Sequence, residues 1–295
     1  LAVIGMKLAV FDAGAGPSLG VVEGEEVVDV RRSAPHLSPS PVDILAAGEA
    51  GLAAVRAAAK TAPRHPLASV RLLAPVARPR KILGIGLNYH AHAAETGREA
   101  PKVQLWFNKQ VTAVNDPFAP VMLPAVSSAL DYEVELVVVI GRRGRRVPRD
   151  RAHEIVGGYM CGCDYTIRDW QAASPTMIMG KGFDTHAPAG PWITTPDEVG
   201  DVSKLGLRCM VNGEVRQNSV VGDMIFDVAA QIEHLTKAFT LEPGDLLFTG
   251  TPEGVGFARK PPSYLRAGDR VRVEIDRLGA IEALIEAETD APIIG

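Results

Sequence analysis

Asp131, Glu133 and Glu135 stand two residues apart inside the apolar run DYEVELVVVIG, 131–141. Residues two apart in a strand point to one face, with α-carbons about 6.5–7 Å apart, so Glu133 and Glu135 share a face. Two carboxylates that close in apolar surroundings need a cation between them, or one of them must keep its proton. All-oxygen ligation suits a hard cation, Mg²⁺ or Mn²⁺. Asp164, at the end of the apolar stretch in GGYMCGCDYT (157–166), is a third carboxylate. An edge strand with both glutamates on its wet face is the competing picture, and the run alone does not separate the two.

Other groups could complete such a centre. A short helix starting just past Asp164 makes Arg168 and Gln171 neighbours at i and i+3, which gathers an acid, a guanidinium and an amide at one strand-to-helix junction. A capped helix with a solvated polar face is the plainer account. In GIGLNYHAHAAETG a helix from about Tyr89 places His92 and Glu95 at i and i+3. A carboxylate beside histidine raises its basicity and fixes its tautomer, as a water-activating base needs near neutral pH. His90-x-His92 could instead be half of a transition-metal site, but no cysteine or further histidine lies at ligand spacing. Lys181, between Gly180 and Gly182, sits in a loop able to aim an ammonium group into a cleft. Thr251 in FTGTPEGVG (248–256) offers a hydroxyl beside backbone donors to a carboxylate.

These groups need elements to hold them. MKLAVF, 19–22 and 27–30 read as short strands, followed by an Ala-rich helix at 42–60. Proline-bearing stretches at 61–66 and 74–80 then mark a boundary near Ala74. The expectation is a small β-rich N-terminal domain, 1–74, and a larger domain, 75–295, with 1–5 as a start-site extension. In the larger part, 81–86, 131–141 and 157–166 read as strands, Asn212-Gly213 as a hairpin turn, and Asp223 as the cap of a helix from Met224 to about Phe239. Strands predominate, so the class is α+β with a curled mixed or antiparallel sheet rather than a regular βαβ alternation.

Composition narrows the function. The 31 Lys and Arg against 35 Asp and Glu leave a formal charge of -4, with no basic footprint for nucleic acid. RRGRRVPRDR (142–151) is locally basic, but it reads as an exposed turn. GIGLNY has Tyr89 where a dinucleotide fingerprint has its third glycine. Three cysteines are too few for a disulfide framework, and no run of 18 apolar residues or signal peptide is present. A cytoplasmic enzyme acting on small molecules, without a membrane partner, is expected.

Taken in order, GLNYHAHAAETG, DYEVELVVVIG, CDYTIRDWQ, GKGFDTHAPAGP, PGDLLFTGTPEGVG and AGDRVRVEID resemble the fumarylacetoacetate hydrolase family over roughly 78–285. The likeness points to the acylpyruvase and 2-oxo-hepta-3-ene-1,7-dioate isomerase branch. It implies a mixed β-roll main domain, a homodimer, and a metal site on Glu133, Glu135 and Asp164. It also implies substrate contacts from Arg168, Gln171 and Thr251, an active-site lysine at Lys181, and a water-activating dyad of His92 with Glu95. Lys109 matches the lysine of the family's Lys-Pro-x-Ser/Thr pattern, whereas Asn108 and Gln110 depart from its surroundings and Trp106 is bulkier than usual. The implied reaction is hydrolysis of a carbon-carbon bond in a small 1,3-dioxo acid through a metal-stabilised enolate. A hydratase, decarboxylase or oxo-enol isomerase on a related oxo-acid is the alternative.

Overall fold

The computed structural model describes residues 5–289; all of the 1–5 extension except Gly5 lies outside them. Two curled sheets pack face to face. In the larger, the order is 64–66, 26–29, 17–23, 7–12, 187–194, 156–163, 134–140, 246–248, 82–86 and 105–108. In the smaller, it is 214–220, 206–211, 270–275, 279–287 and 121–123. Most neighbours are antiparallel, but 246–248 runs parallel to 82–86 and 279–287 parallel to 121–123. The class is the expected α+β.

The strand Val134–Ile140 lies between two partners and is buried at all seven residues. Its alternation feeds two cores, which explains an apolar run without polar breaks. Val134, Leu136, Val138 and Ile140 pack toward the smaller sheet, while Val137 and Val139 join the core under the N-terminal strands and helices. The edge-strand picture is therefore excluded.

Three local expectations are corrected. The 131–141 run is not one strand: Leu130–Asp131 pairs with Thr166–Ile167 in a separate two-stranded sheet, and Val134–Ile140 starts afresh after Tyr132 and Glu133. The 42–60 helix is two, Pro41–Ala46 and Gly48–Ala59, because Gly48 takes φ +61° between them. The later helix is Val228–Ala238, and its cap is Asp227, whose carboxylate accepts from Ala230 N at 2.8 Å; Asp223 lies in a preceding 3₁₀ turn.

The N-terminal strands are continuous with the rest of the larger sheet. Lys7–Asp12 pairs antiparallel with Ala187–Thr194, which carries the sheet past residue 74.

Candidate active site

The acids meet where two paired strands, Val134–Ile140 and Val156–Cys163, set the start of one beside the end of the other. Glu135 lies on the face of Val137 and Val139, and Glu133 precedes it by two residues. Asp164 follows the neighbouring strand Val156–Cys163, and its N–H bonds Glu133 O at 2.9 Å. Ligand oxygens of Glu133, Glu135 and Asp164 all lie within 4.8 Å of one another, and all three residues are buried. Two segments far apart in sequence thus deliver one oxygen cluster.

The turn after Leu246–Phe248 forms its floor. Gly250 N donates to Glu135 Oε2 at 2.8 Å. Gly250 has φ +97°, and a Cβ there would sit 2.6 Å from Asn88 Cβ, so glycine is required on both counts. Asn88 is fully buried and ties this turn to the loop before the Val228–Ala238 helix: its Nδ2 donates to Thr249 O at 2.7 Å and Phe226 O at 3.0 Å, and Phe226 N donates to its Oδ1 at 2.8 Å.

Cations surround the acids. Lys181 Nζ reaches Glu133 Oε2 at 2.7 Å and Asp164 Oδ2 at 2.6 Å, and lies 4.8 Å from the Phe107 ring centre. Lys109 Nζ meets Asp164 Oδ1 at 2.5 Å. Lys181 does not lie in an irregular loop as expected; it ends the short helix Ile178–Lys181, where Gly180 lets that helix pack on the Gln171 backbone. A Cβ at 180 would come within 2.3 Å of Gln171 N.

Arg168 opens the helix Arg168–Ala172, as its sequence position suggested. Its Nε donates to Asp131 Oδ2 at 2.8 Å and its Nη1 to Gln171 Oε1 at 3.1 Å, while Nη2 stands 2.7 Å from Glu133 Oε1 as an ion pair. Asp131 is not a member of the oxygen cluster. It accepts from Gly256 N and Phe257 N as well as Arg168, so it anchors the guanidinium that faces Glu133.

Charge explains the protonation pattern. Burial pushes Glu133 up, but the Lys181 ammonium and Arg168 guanidinium outweigh it and hold its carboxyl at about 2. Glu135 goes the other way: burial raises it well above the usual carboxylate range, and Asp164 and Glu133 add to the rise. For Lys181 burial lowers the value, yet Asp164 and Glu133 reverse the sign; for Lys109 burial wins. Four acids, Asp131, Glu133, Glu135 and Asp164, face three cations, Lys109, Arg168 and Lys181. The uncompensated charge falls on Glu135, beside oxygen donors only. That is the donor set and charge deficit a divalent hard cation would satisfy, so these residues fit the metal that the sequence implied.

The helix His90–Glu95 brings the dyad to the same place. His92 is buried, with Nδ1 2.7 Å from Glu95 Oε1, and its ring lies near enough to Glu133 for the two to interact. Glu95 Oε2 accepts from Gly254 N at 2.8 Å, which holds the carboxylate from behind. His90 is exposed and takes no part in the dyad. Thr251 is buried, and its Oγ1 accepts from Gln217 Nε2 at 2.8 Å. Gln217 was not singled out by sequence reading, since nothing in VRQNS marks it. Cys161, Cys163 and Cys209 are free, buried core residues whose thiols burial pushes up, so none is poised as a nucleophile.

Comparison with known proteins settles the lineage. Residues 81–286 match the family described as fumarylacetoacetate (FAA) hydrolase C-terminal, and residues 6–75 match an N-terminal family described as Rv2993c-like. The chain belongs to the fumarylacetoacetate hydrolase family. Among curated members it is 41% identical over 283 residues to oxaloacetate tautomerase FAHD2A, mitochondrial, of Bos taurus, covering 94% of this chain and 90% of that protein. Among solved fumarylacetoacetate hydrolase folds it is similar to maleylpyruvate hydrolase from Sphingobium sp. SYK-6 in complex with manganese(II) ion and pyruvate. The TM-score is 0.82 and the identity 33%, with 96% of this chain and 100% of that one covered. It is also similar to fumarylacetoacetate hydrolase from Exiguobacterium antarcticum, with a TM-score of 0.85, 33% identity, and 96% and 100% of the two chains covered. Named activities in the family thus include both hydrolysis and tautomerisation. Among the described residues no helix is long and apolar enough to cross a membrane.

Proposed function

We propose that this chain is a divalent-metal-dependent enzyme that moves a proton on a small 2-oxo dicarboxylic acid, interconverting its oxo and enol forms. The observation that carries the reading is the pair of buried His92 and half-buried Glu95 beside the oxygen cluster. Because Glu95 accepts at Nδ1, the proton of neutral His92 is assigned to Nδ1 and the lone pair to Nε2. Nε2 would take the proton from the carbon next to the oxo group and the imidazolium so formed would give a proton to the enolate oxygen, leaving the enol and a neutral histidine, with the reverse returning the proton to carbon. Bound at Glu133, Glu135 and Asp164, Mg²⁺ or Mn²⁺ would supply positive charge to the developing enolate oxygen. Arg168, Gln171 and Lys181 would steady the oxyanion, Lys109 would hold Asp164 in place, and Thr251 would donate to a substrate carboxylate.

The tautomerase relatives, 41% identical across nearly the whole chain, favour this order over the hydrolysis that the motifs first suggested. Hydrolysis of a carbon-carbon bond in an acylpyruvate-like acid is the second reading, supported by the likeness to maleylpyruvate hydrolase. There His92 would take its proton from water. A homodimer and a reducing, cytoplasm-like compartment complete the proposal; the family resemblance supports the first and three unpaired cysteines the second.

The test is to follow loss of enol absorbance from an oxaloacetate-type acid with Mn²⁺ or Mg²⁺, against the uncatalysed rate, while assaying pyruvate release from an acylpyruvate. Accelerated enol loss without cleavage supports the first reading, and two acids from the acylpyruvate support the second. Equal enol and cleavage rates in parent and chelator-treated His92→Ala protein would defeat both.

A further inference from the structure

The walls of the acid cluster also carry cationic side chains that face elsewhere. Tyr132 stands between Asp131 and Glu133, both of which meet Arg168, yet Tyr132 lines a separate cavity of about 860 Å³. Arg216 lines it too, while its neighbour Gln217 bonds Thr251. The alternation of side chains in extended backbone therefore gives one wall two chemical faces.

The cavity is strongly basic. Arg216, Arg259, Lys260 and Arg266 line it, against Asp269 as its one carboxylate. Both oxygens of Asp269 are engaged, Oδ1 by Asn212 Nδ2 at 2.8 Å and Oδ2 by Arg266 N at 2.7 Å. Arg216 Nη2 has an ion pair with Glu214 at 3.0 Å, but that glutamate is exposed and its charge is screened. Arg216 Nε and Arg259 Nε are buried without a protein hydrogen-bond partner, though Arg259 also interacts with Tyr132, and native proteins satisfy such groups with ordered water or a ligand. Tyr132 Oη donates to Gly254 O at 3.1 Å, which holds the aromatic wall in place.

We propose that this cavity binds a small oxyanion carrying two or more negative charges, the chemistry shared by a phosphate group and a polycarboxylate. A guanidinium presents its N–H groups as a planar fork that matches two oxygens of such an ion, and Arg259 has its Nε–H free for that use. Arg216 approaches from the 214–220 strand, and exposed Lys260 and Arg266 draw the anion to the mouth. The site contains none of Glu133, Glu135 and Asp164, so it does not rest on the proposed reaction.

Calorimetric titration of inorganic phosphate, and separately of succinate, into the Mg²⁺-loaded protein at low salt tests this. One anion per chain should bind, with affinity unchanged by chelator and weakened by added salt. Arg259→Gln should lose at least about tenfold in affinity, the scale of one charge-assisted contact. Binding of phosphate alone would assign a phosphate-bearing ligand, and of succinate alone a carboxylate. No binding of either, binding that vanishes with chelator, or an Arg259→Gln variant that binds like the parent would each overturn the proposal. If circular dichroism shows that R259Q does not fold, the exposed pair Lys260→Ala/Arg266→Ala carries the test. A several-fold loss of affinity is then expected, and unchanged affinity overturns the site.

Discussion

Gln217 Nε2 donates to Thr251 Oγ1 at 2.8 Å, and this bond sets the direction of the threonine hydroxyl. Gln217 Oε1 accepts from Val134 N at 2.9 Å, and a backbone N–H can only donate, so the amide cannot be flipped. Its nitrogen must then face Thr251, with a second bond to Pro252 O at 2.9 Å. Having accepted from Gln217, Thr251 keeps its own proton for another partner. A buried amide thus joins the start of the Glu135 strand to the Thr251 hydroxyl.

Gln217→Leu keeps the bulk and removes all three bonds. It leaves Val134 N–H without an acceptor, which costs about 1–3 kcal/mol. Thermal melting should fall accordingly, and KM for a dicarboxylate substrate should rise several-fold while kcat changes less. An unchanged KM would remove the proposed role of Thr251 as a carboxylate donor.

Glu135 lacks a counter-ion, and its sign is opposite to that of Glu133. An acid whose folded pKa is raised stabilises the fold most below its unfolded value and loses that contribution as pH rises through the folded value. At pH 7 without metal, Glu135→Gln should therefore melt at or above the parent. Mn²⁺ should raise the melting temperature of the parent by mass action and leave the variant unmoved. Scanning calorimetry with and without the ion gives both results.

His92 and Glu95 should separate metal uptake from turnover. His92→Ala is expected to bind Mn²⁺ as the parent does while losing about 10²- to 10⁴-fold in rate, the range of a positioned general base. Glu95→Gln should fall between the two, because the amide can still accept from Gly254 N and reach the His92 ring but no longer sets a negative charge beside it. Calorimetry for the metal and steady-state kinetics for the rate check the split.

His186 should govern stability in mild acid. It is fully buried, with Nε2 bonded to Met122 O at 2.7 Å and Nδ1 without a partner, so a second ring proton would find no acceptor. Burial pulls its pKa down to about 3, the Met122 carbonyl opposes this, and Lys109 adds to the fall. The folded value lies below the unfolded one, so the stabilisation is complete above about pH 6.5 and is lost as pH falls toward 3. Glu133 contributes in a lower window, between its ordinary 4.5 and about 2. Melting temperature should drop between pH 7 and 5 in the parent and much less steeply in His186→Gln. A flat parent profile over that range would contradict this account.

Features set by neighbours within one strand or one helical turn were legible in the chain itself: the shared face of Glu133 and Glu135, the His92–Glu95 pair, the Arg168–Gln171 pair and the buried 134–140 run. Backbone geometry alone dictates those spacings. The break at Tyr132–Glu133 came from pairing of Leu130–Asp131 with Thr166–Ile167, the helix cap fell on Asp227 rather than Asp223, and Lys181 ends a helix packed on Gln171. Tertiary packing alone decided that Asp164 meets Glu133 and Glu135, that Lys109 and Lys181 lie over them, and that Gln217 reaches Thr251. Those contacts join residues 17 to 55 positions apart, where chain spacing no longer limits distance and only the burial of two sheets against each other does.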